Sequence, residues 1–342
     1  MKIFSGSANK PIAEKVAESL NISLSPVEIF VFPDGERRVR LEEDVVNEDV
    51  VIIQSTTPPV DQNYMELFFL IDGAKRSGAK NITVVMPYLG YQRQDHVFRS
   101  GEAVSFQVIV KILESIGVSR VIACDLHTIK IPEFFTIPFT HLSALQLFAE
   151  KIQEVFRDSL SRDPVNRSFP TSARSSEASF NELRAVGSPP AIATPDSDTI
   201  LVTPDMGGIR RIKILSEMLD EMPYVMIEKN RDLATGKVEV TAVHGPSTGS
   251  GFKGKKAIIV DDMISSGRTI VNAANILKEK GVEETLVFAT HPIFSDEAPE
   301  LLQNAPVEKV YVTDTVLIPE KKQFAKLTVL TISSMVADHV TS

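Results

Sequence analysis

Along the first third of the chain, unbroken apolar runs alternate with stretches whose apolar residues recur at helical spacing. "VVIIQS" (50–55), "NITVVMPY" (81–88) and "RVIACDL" (120–126) read as strands, whereas "MELFFLIDGAKRSG" (65–78) and "VSFQVIVKILESIG" (104–117) read as amphipathic helices. A strand that is apolar at every position must be covered on both faces. The pattern therefore predicts an α/β fold, a mainly parallel sheet flanked by helices. The same order of parts returns at an offset of about 205 residues, where "KAIIVDDMISSGRTIVNAANILKEKGVEETLVFATHPIFS" (256–295) follows the plan of residues 50–90. Strand matches strand, and Gly78 matches Gly281. Such an offset points to a duplicated domain and not to a solenoid. The loops have diverged, since "VDDMISSGRT" in the second copy stands where the first has "IQSTTPPVDQ".

Length and composition agree with this plan, because 342 residues at 43% apolar can bury two cores of ordinary size. A formal charge of −9 argues against a broad basic face for nucleic acid or anionic membrane, so any phosphate site must be local. Cys124, the only cysteine, lies in an apolar run and reads as a small buried hydrophobe. No stretch has the apolar core of a signal peptide or the length of a membrane span, which makes a cytoplasmic protein the expectation. From about Arg157 to Asp198 the texture turns Ser-, Pro- and Ala-rich without apolar period, as expected of a mobile surface insertion. "HGPSTGSGFKGK" (244–255) reads as a turn between strands.

Candidate chemistry concentrates after one strand. Asp261 and Asp262 follow the apolar Ala257–Val260 and precede a helical pattern, which sets them at the carboxyl edge of a parallel sheet, where open α/β folds bind ligands. The next residues offer backbone N–H groups, the hydroxyls of Ser265, Ser266 and Thr269, and a helix N-terminus, a set suited to phosphate. Gly267 permits close backbone approach. Two acids beside a phosphate are consistent if they face sugar hydroxyls or a cation while the loop holds the phosphate. A solvated turn with capping hydroxyls is the plainer reading of the same residues. Nothing resembles GxxxxGK[ST], which disfavours a Walker-type NTPase.

This stretch resembles the phosphoribosyl-diphosphate-binding fingerprint of the type I phosphoribosyltransferase fold, and further motifs narrow the family. "FVFPDGERRVRL" (30–41) reads locally as a hairpin turning at "PDG". Phe32 can stack on a purine while Asp34 and Glu36 accept hydrogen bonds. The segment is similar to the F-x-D-G-E loop, Gly35 included, with which ribose-phosphate diphosphokinases (phosphoribosyl-diphosphate synthetases) grip ATP, often across a subunit interface. "MPYLGYQRQDH" (86–96) suits nucleotide binding through Arg93, Gln94 and Asp95, or is an exposed polar loop; it matches the family's Y-x-R-Q-D pattern. In "VIACDLHT" (121–128), a histidine after a strand is most often a hydrogen-bonded structural residue. The resemblance implies instead that His127 is a ligand of the magnesium bound with ATP. "ILVTPDMGGIRR" (200–211) offers Asp205 to a metal or sugar, with Gly207 and Gly208 for close approach, and matches the family's S/T-P-D-x-G-G segment. In "VMIEKNRDLATGKVEV" (225–240), Lys229 and Arg231 start what reads as a flexible loop, either as a surface charge pair or as cations over a polyphosphate; the family carries its catalytic lysine at this point. "THPIFS" (290–295) also matches a family segment.

Together these motifs cover most of the chain. They imply two phosphoribosyltransferase-like domains, 1–145 and 146–324, with a helix at about 325–342 packing on the first. They also imply ATP, ribose 5-phosphate and Mg2+ as ligands, and a homo-oligomer, because a neighbour's ATP loop requires at least a dimer. The implied reaction is attack of the 1-hydroxyl of ribose 5-phosphate on the β-phosphorus of ATP. Lys229, Arg231 and Arg93 would neutralise charge, and Asp205, Asp261, Asp262 and residues 265–269 would hold the sugar phosphate. Three features depart from the family pattern: the 157–198 insertion, Arg268 where a small residue is common, and Ser265 where many bacterial members carry Asp. A non-catalytic subunit of the same fold is the alternative; retention of Lys229, His127 and both nucleotide motifs weighs against it. A salvage phosphoribosyltransferase would need only one copy of the fold, and no segment suggests a nucleobase acceptor site.

Overall fold

The computed structural model of the chain describes residues 1–162, 198–231, 238–244, 251–295 and 297–341. Its first half contains β1 (Lys2–Ser5), α1 (Lys10–Ser19), β2 (Val27–Val31), β3 (Arg37–Leu41), β4 (Asp49–Ile53), α2 (Val60–Arg76), β5 (Asn81–Met86), α3 (Ser105–Ile116), β6 (Arg120–Cys124) and β7 (Phe139–Leu142). Five of these strands form a parallel sheet in the order β1-β4-β5-β6-β7, and β2–β3 is a separate antiparallel hairpin.

The second half follows the same plan. After α4 (Leu145–Arg162) come β8 (Thr199–Thr203), α5 (Ile209–Met218), β9 (Tyr224–Arg231), β10 (Val238–His244), β11 (Lys256–Ile264), α6 (Arg268–Glu279), β12 (Glu284–Pro292), α7 (Ala298–Asn304), β13 (Lys309–Thr313), β14 (Leu327–Leu330) and α8 (Ser333–Val340). The order β8-β11-β12-β13-β14 repeats that of the first sheet strand for strand. Here the antiparallel pair β9–β10 extends the sheet beyond β8 instead of standing apart. Gly78 (φ +85°) and Gly281 (φ +87°) end α2 and α6 in the same left-handed geometry, which explains their matched spacing.

The period of two along a strand distributes these residues between cores. In β4, Val50 and Ile52 face a cluster with Leu67 and Leu70 of α2 and Val110 and Leu113 of α3. Val51 and Ile53 face the opposite cluster. In β11, Ala257 and Ile259 meet Ala273 and Leu277 of α6, whereas Ile258 and Val260 join that same opposite cluster. The shared core is closed by helices that leave their own sheets. Helix α4 follows β7 yet packs against α5, and α8 follows β14 yet packs against α1. Fully buried Phe148, Ile152, Ile212 and Val336 each contribute about 1.5–3 kcal/mol by leaving water, so this cluster is a major tie between the halves.

The structure corrects several expectations. Strand β11 runs through Asp261 and Asp262 to Ile264, so the acids lie within it and not past its end. The neighbour on one side ends its pairing at Ile259, while β12 continues beside them, with Asp261 opposite Ala289. The terminal segment is not all helix: the β-prone "LTVL" at 327–330 completes the second sheet before α8 begins. Lys229 and Arg231 sit on strand β9, laddered to Val240 and Val238, instead of starting a loop. Helix α4 continues past Arg157 to Arg162, and the rest of the expected insertion through residue 197 lies outside the described residues, as do residues 245–250 of the second turn. Cys124 is buried, and burial pushes its thiol well above the ordinary range. Among the described residues, no helix is long and apolar enough to cross a membrane.

Candidate active site

A cavity of about 290 Å³ opens where the carboxyl edges of the two sheets meet. Arg93 (after β5) and His127 (after β6) reach it from the first half; Asp205 (after β8), Asp261 to Gly267, Thr269 and Ile270 line it from the second. Ser265, Ser266, Gly267 and Thr269 form one wall. Gly267 takes φ +75° immediately before α6, a backbone that side-chain-bearing residues rarely adopt, so the turn presents amides and hydroxyls at a 12-residue helix N-terminus.

The acids are buried and chemically unequal. Burial and the neighbouring carboxylates of Asp262 and Asp205 push Asp261 well above the ordinary carboxyl range. Burial acts on Asp262 too, but the His127 hydrogen bond and the Arg211 guanidinium outweigh it and hold Asp262 below that range. The pair therefore loses its protons in two separated steps, Asp262 first. His127 Nδ1 lies 2.9 Å from Asp262 Oδ2. An ionised carboxylate only accepts, so Nδ1 donates, and Nε2 is the ring nitrogen left for another partner. This is the carboxylate–histidine arrangement that prepares an imidazole to bind a cation.

Other groups fix the walls. Asp205 Oδ1 accepts from the N–H groups of Gly207 (2.9 Å) and Gly208 (3.3 Å) and so caps the short turn before α5. Gly208 must be glycine because a Cβ there would stand 2.0 Å from Thr203 Oγ1. The Arg93 guanidinium lies against the Met263 sulfur, a contact between the two halves. Among the described residues, no three of His, Cys, Asp and Glu gather as a metal cage. A magnesium ion carried by substrate phosphates needs only one or two protein carboxylates; Asp205 on the cavity wall supplies one, whereas His127 offers nitrogen to a cation that prefers oxygen.

Not every expected residue arrives. Phe32, Asp34, Gly35 and Glu36 form the exposed tip of the β2–β3 hairpin, closed by Phe32 N–H to Glu36 O (2.8 Å), and do not line the cavity. Gln94 is exposed, and Asp95 engages His96 and the Thr128 hydroxyl. Arg268 does not join the wall; it pairs with exposed Glu297 at 3.2 Å. The side chains of Lys229 and Arg231 lie outside the described residues. Conversely, Arg211 was missed: from α5 its Nη2 stands 3.9 Å from Asp262 Oδ2. The paired arginines of "GGIRR" were the available signal, but only helix phase decides which one turns inward. Gln92 was missed as well; buried beneath the Arg93 loop, its Oε1 accepts the His127 N–H at 2.7 Å.

Two copies of one strand order, each with its loops at the meeting edge, make this a protein of two phosphoribosyltransferase-like domains. A family model described as the N-terminal domain of ribose phosphate pyrophosphokinase matches residues 1–117, and one described as the phosphoribosyl synthetase-associated domain matches 248–342. Ribose-phosphate pyrophosphokinase of Fusobacterium nucleatum is 34% identical over 99% of this chain and 94% of its own. The Thermotoga maritima protein of that name is 35% identical over 94% and 89%, and ribose-phosphate pyrophosphokinase 2, chloroplastic, of Oryza sativa is 35% identical over 99% and 74%. The crystal structure of phosphoribosylpyrophosphate synthetase from Mycobacterium smegmatis superposes with a TM-score of 0.82 at 30% identity, covering 99% of this chain and 97% of the other. The chain belongs to the ribose-phosphate pyrophosphokinase family.

Proposed function

We propose that the chain transfers the diphosphoryl group of magnesium-ATP to ribose 5-phosphate, giving phosphoribosyl diphosphate and AMP. The observation that carries this reading is the single cavity in which two buried aspartates and a hydroxyl-rich helix N-terminus of one half face Arg93 and His127 of the other. The 1-hydroxyl oxygen bonds to the β-phosphorus, the bond from that phosphorus to the oxygen bridging the α-phosphate breaks, AMP departs, and the hydroxyl proton passes to solvent. Such a transfer depends on positioning and on charge stabilisation more than on covalent help from the protein.

Asp261 and Asp262 orient the ribose while Ser265, Ser266, Gly267 and Thr269 hold its phosphate. Phe32, Asp34, Gly35, Glu36, Arg93, Gln94 and Asp95 seat the nucleotide. The hairpin tip, away from the cavity of its own chain, serves a neighbour's cavity in a homo-oligomer. Mg2+, when bound with ATP, neutralises phosphate charge; Asp205 and His127 would hold it. Lys229, Arg231 and Arg93 stabilise the charge that develops, in a cytoplasmic protein of two domains, 1–145 and 146–324.

The experiment is incubation of the purified chain with ATP, ribose 5-phosphate and magnesium, with AMP measured. AMP release that requires ribose 5-phosphate supports the reading. No release by the chain alone, with activity restored by a second subunit, supports the non-catalytic alternative.

A further inference from the structure

The turn that carries His127 into the cavity is held from both halves of the molecule. It begins at Asp125, a buried non-glycine residue with φ +25°. Such a backbone persists only where its surroundings over-determine it. The Asp125 N–H donates to Leu142 O (2.9 Å), and its carboxylate accepts from the Ser143 hydroxyl (3.1 Å), the Ala144 N–H (3.1 Å) and the Thr290 hydroxyl. The Leu126 N–H donates to His141 Nε2 (3.3 Å) and the His127 N–H to Gln92 Oε1 (2.7 Å). One backbone group of the strained residue remains, the Asp125 carbonyl. It accepts from His291 Nε2 at 2.9 Å, from a residue 166 positions further along the chain.

His291 lies fully buried on β12 and does not line the cavity. Its tautomer follows from its partners. A carbonyl oxygen only accepts, so Nε2 carries the proton. Burial holds the ring neutral by pushing its pKa below the ordinary value, so Nδ1 is bare and accepts from the Thr315 hydroxyl 3.0 Å away. The Thr290 carbonyl, which Thr315 could otherwise take at 3.1 Å, is satisfied by the Thr313 hydroxyl at 2.7 Å. Every polar contact of the ring is thus directional, with its donor end aimed at Asp125.

We propose that His291 is a positioning residue for the reaction: by holding the Asp125 carbonyl it fixes the angle at which the Asp125–His127 turn presents His127 to Asp262 and the cavity. The proposal rests on the reading of the cavity as the diphosphoryl-transfer site. The ring also packs edge-on to Tyr88, with centroids 5.0 Å apart, so a purely space-filling role must be separable from a positioning one.

Two amides separate them. In His291→Gln the amide nitrogen reaches the place of Nε2 and keeps the donor to Asp125, whereas in His291→Asn it reaches only as far as Nδ1. We expect H291Q to keep kcat within about threefold of wild type and H291N to lower it about 10- to 100-fold, as loss of an outer partner of a functional histidine usually does. KM for ribose 5-phosphate should stay nearly constant in both, and any rise in KM for magnesium-ATP should be confined to H291N and accompany its loss in kcat. In a His127→Ala background, H291N should add no further loss, because the residue it acts through is gone. Equal losses in H291Q and H291N, a change in KM instead of kcat, or the same factor lost with His127 absent would each overturn the proposal. If H291N does not fold, His291→Met, which fills the space of the ring and carries no donor for the Asp125 carbonyl, takes its place with the same expectations. A wild-type chain that releases no AMP would sink the reaction reading alone. Positioning is then read from the His127 ring signals by NMR, displaced in H291N and unchanged in H291Q if it holds, and unmoved in both if it does not.

Discussion

Replacing each of the twin aspartates by asparagine should move the stability of the unliganded protein in opposite directions. Asp262 accepts the His127 Nδ1–H at 2.9 Å and faces Arg211 at 3.9 Å, with 9% of its side chain exposed. A hydrogen bond to a charged group contributes about 1.5–3 kcal/mol. Asparagine keeps one acceptor oxygen but not the charge, so D262N should cost an amount within that range. For domains of this size that corresponds to a melting temperature lower by roughly 3–12 °C. Asp261 is the reverse case. Its folded pKa lies above the unfolded value, so its contribution to stability is present below the unfolded pKa, near 3.9, and is lost as pH rises towards the folded one. Asparagine cannot ionise, and its Oδ1 can still accept the Asp262 N–H that the aspartate accepts at 2.9 Å. D261N should therefore leave the melting temperature unchanged or higher at neutral pH, with the gain growing as pH rises from the unfolded pKa towards the raised folded one. For Asp262 the folded pKa is depressed, so its contribution is present above about pH 3.9 and disappears only as pH falls through the lower folded value. Scanning calorimetry of the three proteins from pH 4 to 9 makes the comparison. A D262N protein as stable as wild type, or a D261N protein less stable than D262N, would refute this account of the pair.

Other substitutions test other parts. Lys229→Ala should retain ATP binding by calorimetry and lose on the order of 10²–10³ in kcat, as removal of one preorganised donor does; unchanged turnover would take the lysine out of the mechanism. Gly208→Ala puts a Cβ 2.0 Å from Thr203 Oγ1 and should destabilise the protein by about 1–3 kcal/mol in urea titrations while raising KM for ribose 5-phosphate through displacement of Asp205. Arg268→Ala should leave that KM within about twofold, because the arginine is 71% exposed and paired with a 73% exposed glutamate, a kind of contact worth little.

The sheets were legible because unbroken apolar runs have one stable arrangement, covered on both faces, and because the duplication states the plan twice. The carboxyl edge of each sheet was legible for the same reason, which is how Asp261, Asp262, Asp205 and His127 could be named together, although β11 runs on through the two acids to Ile264. Direction and pairing were not legible. Nothing in "SSGRT" reveals that Arg268 turns outward to Glu297, and nothing in "GGIRR" says that Arg211 turns inward, since both depend on helix phase to within one residue. The link from His291 to Asp125 joins residues 166 positions apart, and local pattern carries no information about such pairs. Lys229 and Arg231 looked like the start of a loop because charge interrupts the apolar run; antiparallel pairing with β10 keeps their backbone in a strand.

The central claim is that the aspartate pair holds a pentose while the turn before α6 holds its phosphate. A crystal structure of the protein with ribose 5-phosphate tests it most directly. The account predicts ribose hydroxyls within hydrogen-bond distance of Asp261 and Asp262 and the phosphate on the amides and hydroxyls of residues 265–269. A sugar bound elsewhere, or a phosphate seated away from that turn, would contradict it.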